Sequence, residues 1–410
     1  MITKSIKQSN WKEVFLPEVV FFQEGPGVRN TQFTETGVKL LNVGNINKGQ
    51  LNLKATKTHL SQEEAFGKYS HFLVDEGDLL IACSGIVVEN FHNKIAFAEK
   101  EHLPLCLNTS TMRFRALDDQ VIDLNFFKFY LQTRFFKDQL LRLITGSAQL
   151  NFGPSHIKKI KLNLPPLPQQ QKIAAILDAA DALRQNDKAL ITKYDELTQA
   201  LFLDMFGDPV SNPKGWEKKL VEELCLNIVD CVNKTAPTVD FVTEYKMIRT
   251  PNVRNHSVNL ESTRFVTLDT FRIWNRRLKP QRNDIVFTRE APVGEAGVIL
   301  SDDQLMLGQR TMIYRVDESK VNNTYLLFQL MGSDVQRQIS NISMGSTVKH
   351  LSVPSCKAFK ILVPPIDLQN QFAERVTVIE QQKAIAQASL ERSEELFNSL
   401  LQKAFKGELV

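Results

Sequence analysis

No stretch of the 410-residue chain approaches the roughly 20 consecutive apolar residues that a membrane-spanning helix requires. The opening segment, Met1 to Leu16, has no apolar core of the kind found in a secretory signal. Cysteine is scarce. Cys83, Cys106, Cys225, Cys231 and Cys356 are scattered, odd in number and never spaced as CxxC. That pattern excludes a zinc ribbon or a disulfide framework, and it fits buried thiols in a reducing cytoplasm. No glycine-rich cofactor loop follows a strand-like run, and there is no Walker phosphate loop. The histidines, His156 and His350 among them, lack metal-ligand spacing, so no metal is expected on this chain. A net charge of +4 is too small by itself to indicate a nucleic-acid partner.

What is present is ordinary in amount but sorted in place. A hydrophobic content of 43% and a charged content of 23% suit a packed core, and the length suits two or three domains. Residues 1–164 carry 20 Lys and Arg against 16 Asp and Glu, and residues 210–363 carry 21 against 16. Residues 165–209 carry 4 against 7, and residues 364–410 carry 5 against 7. Two basic segments thus alternate with two acidic ones, as expected if some surfaces meet phosphate and others meet protein.

The chain also repeats itself. Each half opens on a tryptophan, Trp11-Lys12-Glu13 and Trp216-Glu217-Lys218. Each continues with an aspartate and an apolar run, Asp78-Leu79-Leu80-Ile81 and Asp284-Ile285-Val286-Phe287. Then come Thr111-Met112-Arg113-Phe114-Arg115 and Thr311-Met312-Ile313-Tyr314-Arg315. Gly146-Ser147 and Gly345-Ser346 follow, then Leu164-Pro165-Pro166-Leu167 and Val363-Pro364-Pro365-Ile366, at a constant offset of 199 residues. Short β-branched and aromatic runs between Gly, Pro and Asn predict strands and turns, with helical patches such as Leu124 to Ile144.

After each double proline, which suits the start of a helix, lies a long segment free of Pro and Gly. Ile173, Ile176, Ala180, Leu183, Leu190, Tyr194, Leu197 and Leu201 recur at spacings of three, four or seven, with Asp187 in a polar slot. In the second copy Phe372, Val376, Ile379, Ala386, Leu390, Phe397, Leu400 and Ala404 do the same, with Lys383 and Ser393 as interruptions. Such spacing predicts a coiled-coil seam between two helices, each about 55–60 Å long. Antiparallel pairing would relate the halves by a pseudo-two-fold, with Asp187 and Lys383 facing each other. The expected fold is α+β. Mixed globular domains at 1–164 and 210–363 are each followed by a long helix, 165–209 and 364–410, and the helices pair as a long antiparallel two-helix coiled coil.

Leu164-Pro165-Pro166-Leu167-Pro168-Gln169-Gln170-Gln171-Lys172-Ile173-Ala174 and Val363-Pro364-Pro365-Ile366-Asp367-Leu368-Gln369-Asn370-Gln371-Phe372-Ala373 carry a resemblance. So do Phe287-Thr288-Arg289-Glu290, Gly294-Glu295-Ala296-Gly297, Met344 to Leu351 and the closing Leu400 to Gly407. Together these resemble the specificity subunits of type I restriction–modification systems over the whole chain. Asn283 stands where the family often has glycine, and Ala82-Cys83-Ser84 replaces Thr288-Arg289-Glu290 in the first copy. The resemblance implies that each target-recognition domain reads one half of a split site in double-stranded DNA, and the differences between copies suggest two different half-sites. It also implies that the helices set the spacer and dock two methyltransferase subunits, which restriction and translocation subunits join. S-adenosylmethionine, magnesium and ATP would be handled by those partners, none by this chain.

Arg and Lys hold phosphate or guanine, and Asn and Gln pair with adenine. The densest basic stretch supplies Arg272, Arg276, Arg277, Lys279 and Arg282 around Trp274, and Arg289 follows. Loop amides and hydroxyls are offered by Gly146, Ser147 and Gln149, and by Gly345, Ser346, Thr347 and Lys349. Arg113, Arg115, Asn42 and Asn45 are the first-domain candidates. The alternatives are solvated charged faces, internal ion pairs and structural turns.

The rival is an enzyme, a DNA methyltransferase or nuclease with its own reader. An adenine methyltransferase needs Asn/Asp-Pro-Pro-Tyr/Phe, whereas Asn163-Leu164-Pro165-Pro166-Leu167 has an extra Leu and no aromatic. No paired-acid-plus-lysine cluster of a nuclease is evident. A coiled-coil scaffold without a DNA role is the third reading, disfavoured by the basic bias of the duplicated domains. No catalytic residue is expected.

Overall fold

The computed structural model describes residues 11–54, 56–144, 151–342 and 350–409. They form two compact units. One combines the chain up to Lys188 with the chain from Ala388 onward; the other is Ala189–Gln387. Both units mix strands and helices, and the sequence repeat is a structural repeat. Among the described residues, no helix is long and apolar enough to cross a membrane.

In the first unit a four-stranded antiparallel sheet orders Val20–Glu24, Thr111–Ala116, Leu79–Ala82 and Ile95–Phe97. The strand Leu79–Ala82 is buried along its whole length, which is why it reads as an unbroken apolar run. Beside this sheet, His59–Leu60, Val38–Leu41 and Leu105–Leu107 form a three-stranded one. The second unit repeats the plan with one sheet extended. Cys225–Asp230, Thr311–Val316, Ile285–Thr288, Ala296–Val298, His256–Val258 and Val253–Arg254 lie in that order. Arg264–Phe265, Tyr245–Ile248 and Gln304–Leu307 form its companion. Each unit closes by pairing its first and last strands, Lys12–Phe15 with Lys161–Leu164 and Glu217–Leu220 with Lys360–Val363.

The repeated aspartate is a structural clamp. Asp78 is 2% exposed and Asp284 1%. Each carboxylate accepts the amide three residues before it, Asp75 or Gln281, at 2.9 Å. Each also takes a two-pronged guanidinium contact, from Arg115 or Arg315. The residue before the clamp is left-handed in both copies, Gly77 at φ 85° and Asn283 at φ 71°. Asparagine tolerates that region through its short polar side chain, so the substitution at 283 preserves the turn.

The glutamines after the double prolines are a second repeated device. The Gln170 and Gln369 amides are fully buried. Gln170 accepts from Asp123 N and donates to the Val121 and Pro165 carbonyls. Gln369 accepts from Asn322 N and donates to the Pro364 carbonyl. Each therefore ties the start of a long helix to the capping residue of an internal one. The long helices are Leu167–Phe206 and Ile366–Phe405, 40 residues each.

Within each unit the two long helices lie side by side in opposite directions. In the first, Ser393 Oγ donates to Asp187 Oδ2 at 2.8 Å while Arg184 lies 4.2 Å over the Phe397 ring, so one index falls as the other rises. In the second, Lys383 pairs with Asp195, and Phe372 packs edge-on against Phe202 and Phe206. Asp187 and Lys383 do not face each other. Lys383 is about ten residues, ~15 Å at helical rise, from the Ser393 that sits opposite Asp187.

The seam of the second long helix is as the sequence predicts: Phe372, Val376, Ile379, Ala386, Leu390, Phe397 and Ala404 are buried, and Leu400 is partly so. The first long helix differs. Ile173 and Ala180 are buried, Leu201 packs on the core beside Phe202, and Tyr194 is half-buried. Leu183, Leu190 and Leu197 are 46%, 41% and 50% exposed, and Ile176 only half-buried. The inward stripe instead passes through Leu177, Arg184, Asp187, Ile191 and Thr198. Two heptad phases, one residue apart, both carry apolar residues, and the aromatic ends at Phe202 and Phe206 select the more polar one. Leu190→Lys is therefore expected to shift stability by less than ~0.5 kcal/mol. Phe397→Ala, at a site 2% exposed, should cost about 3–5 kcal/mol. Urea unfolding of the two variants separates these phases.

Candidate nucleic-acid interface

The same frame recurs where the central strands of each unit end. In the first unit the Thr111 hydroxyl donates to the Asn108 carbonyl at 2.6 Å, and in the second Thr311 donates to Gly308 at 2.7 Å. These bonds hold the turns that place Ser110 and Arg310 at φ 67° and 69°. The carbonyl of Ser110 then accepts from Cys83 N, and that of Arg310 from Arg289 N, at 2.9 and 2.8 Å. A third segment joins each frame. Phe152 N donates to the Cys83 carbonyl, and Leu351 N to the Arg289 carbonyl. Backbone position is thus matched and side-chain chemistry is not.

In the first unit the frame carries small polar groups and one acid, Glu24. The Ser84 hydroxyl donates to Asn151 Oδ1 at 2.7 Å, and Gly85 N donates to the same oxygen at 2.9 Å. The Cys83 thiol lies near Glu24. Burial first, then the neighbouring carboxylate, push that thiol far up, so it stays protonated.

In the second unit the frame is ionic. Glu290, its side chain 23% exposed, is held on one oxygen by His350 Nδ1 and on the other by Arg310 Nε at 3.0 Å. Asp230, at the end of the neighbouring strand, accepts from Arg277 at 2.7 Å and lies 3.9 Å from Arg289. Six charged or ionisable groups therefore gather where the first unit has a serine pair, an asparagine, a thiol and Glu24.

The candidate residues distribute unevenly. Arg113 is 5% exposed and donates to the Leu73 and His71 carbonyls and to Gln23. Arg115 is held by Asp78 and Asp75. Asn42 bonds Thr58 and accepts from Asn108, and Asn45 bonds Thr56 and the Asn52 carbonyl. These four side chains are committed to holding their own domain together. Arg289 is 7% exposed, bonds the Leu351 carbonyl, and is not the ion partner of Glu290. Arg277 ties down Asp230 and the carbonyls of Asp230 and Cys231. Lys279 reaches Gln304, and Arg282 pairs with Asp302. Arg272 and Arg276 remain exposed on the helix Leu268–Trp274 and just after it. Gly146, Ser147, Gln149, Gly345, Ser346, Thr347 and Lys349 lie outside the described residues.

Sequence reasoning passed over Glu24, Asp230, Asn151, His350 and Arg310 as members of one locus. The available signal was weak: Ser110 and Arg310 differ just before each repeated threonine, but Thr109 and Gln309, and Arg113 and Ile313, differ as well.

A family model described as the type I restriction modification DNA specificity domain matches residues 8–193 and again 213–394. The type I restriction enzyme MjaVIII specificity subunit of Methanocaldococcus jannaschii is 27% identical over 210 residues, 49% of this chain and 48% of that one. The type I restriction enzyme EcoBI specificity subunit of Escherichia coli is 22% identical over 98% of this chain and 86% of its own length. The crystal structure of a type I restriction–modification system S subunit from M. genitalium is similar in fold, with a TM-score of 0.57 at 14% identity, covering 98% of both chains.

Proposed function

The chain belongs to the family of type I restriction–modification DNA specificity domains, and from that premise we propose that it gives such a complex its DNA specificity without catalysing a reaction itself. Its two recognition domains, residues 1–164 and 210–363, each read one half of a bipartite site in double-stranded DNA. The observation that carries this reading is the matched frame with unmatched side chains: one backbone geometry presents Ser84, Ser110 and Asn151 in one unit and Glu290, Arg310 and His350 in the other. Two copies of one fold that differ where polar groups cluster are suited to two different sequences.

The helical segments, 165–209 and 364–410, pair along an antiparallel coiled coil that sets the spacer between half-sites. They carry two methyltransferase subunits, to which restriction and translocation subunits add. The exposed Leu183, Leu190 and Leu197 support an apolar docking role for these helices. S-adenosylmethionine, magnesium and ATP belong to the partners, and the assembly works in the cytoplasm.

Methyl transfer from labelled S-adenosylmethionine tests the reading. The chain alone is expected to be inert, and the chain with its methyltransferase partner to modify DNA at one bipartite sequence. Transfer by the purified chain alone would replace this reading with that of a self-contained enzyme.

A further inference from the structure

Arg310 combines three properties that no other cation among the described residues of its unit shares. It occupies a left-handed turn locked by the Thr311 hydroxyl. Its Nε forms an ion pair with one oxygen of Glu290 at 3.0 Å, and the other oxygen of Glu290 meets His350. Its side chain is still 53% exposed, and among the described residues its two terminal nitrogens have no partner. A guanidinium anchored at Nε and open at its far end presents two parallel donors with little rotational freedom left to lose.

We propose that Arg310 reads a guanine in the half-site of the second domain, with Glu290 and His350 as its positioning residues; this rests on the functional reading above. Guanine is the base whose major-groove edge offers two adjacent acceptors, O6 and N7, matched to such a fork. A phosphate contact fits less well. The Glu290 carboxylate 3.0 Å from Nε repels an approaching phosphate, whereas a base edge is uncharged. The first unit supplies the contrast, for the equivalent turn holds Ser110 at nearly the same φ. The turn is therefore part of the shared frame, and the guanidinium is what the second domain adds to it. Arg113 and Arg115 of the first unit cannot substitute, because Asp78, Asp75 and backbone carbonyls already hold them.

The test maps modified adenines in cells carrying the complete system with wild-type chain, Arg310→Ser, Arg310→Lys or Glu290→Gln. The wild type is expected to show a bipartite sequence with a G·C pair in the half assigned to residues 210–363. Arg310→Ser should lose discrimination at that one pair, by about ten- to hundredfold, with the other half-site unchanged. Arg310→Lys keeps the charge and loses the fork, so it should relax the same pair. Glu290→Gln should relax it less, because the fork remains but is held more loosely. If Arg310→Ser or Arg310→Lys left the sequence intact, or lowered modification evenly at every site, the base-reading role would be overturned in favour of no contact or a phosphate contact. A wild type with no bipartite sequence at all would instead overturn the functional reading.

Discussion

Replacing residues 212–363 with the corresponding segment of a relative is expected to change one half of the modified sequence completely and leave the other half untouched. The reason lies in how the second unit closes. Strand Glu217–Leu220 pairs with Lys360–Val363 from its first residue to its last, so the exchanged segment begins and ends side by side. Just outside this segment, the Phe206 carbonyl at the end of the first long helix accepts from Trp216 Nε1 at 2.9 Å. The buried Gln369, just beyond the other junction, bonds backbone groups on both sides. A transplant that keeps Trp216 and the Asn322 cap retains these attachments while replacing the whole polar locus of Asp230, Glu290, Arg310 and His350. Loss of a recognition element costs about 1–3 kcal/mol per mismatched pair, so several simultaneous changes abolish modification at the old sites. Sequencing of modified adenines reads the result directly. A transplant that altered both halves, or neither, would contradict the assignment of one half-site to each domain.

The second large effect concerns stability. Asp78→Ala is expected to destabilise the chain by about 3–5 kcal/mol, because it leaves the buried Arg113 without its counter-charge and Arg115 with Asp75 alone. Arg113, 5% exposed, lies 3.6 Å from that carboxylate, and Arg115 grips it with two nitrogens. The same change leaves the Asp75 amide without its acceptor. Asp284→Ala removes the equivalent clamp from Arg315, but Ile313 stands where the first unit has Arg113, so only one guanidinium is stranded. The loss should therefore be smaller in the second unit. Urea unfolding of the two variants provides the comparison. A loss below ~1 kcal/mol for Asp78→Ala would mean that these arginines relax to solvent, and would reopen Arg113 and Arg115 as DNA contacts.

The duplication, the strand character of runs such as Leu79 to Ala82 and Ile285 to Phe287, the start of each long helix at a double proline and the apolar stripe of the second helix were legible in the residues alone. These depend on local periodicity and on backbone rules for proline, glycine and asparagine, which act over a few residues. The seam of the first helix was not. Leucines at 183, 190 and 197 and a mixed stripe through Leu177, Asp187 and Ile191 satisfy the same period, and only packing against the partner helix chooses between them. Nor did sequence reveal which charges are spent internally. Arg113 finds its acceptors 40 and 42 residues away, Arg289 its acceptor 62 residues away, and the carboxylate between His350 and Arg310 comes from a third segment. Sequence by itself determined the repeated frame, because the frame is built from short-range rules. Tertiary structure decided which side chains the frame leaves open to a ligand, because a charge is free or occupied only according to what distant segments place beside it.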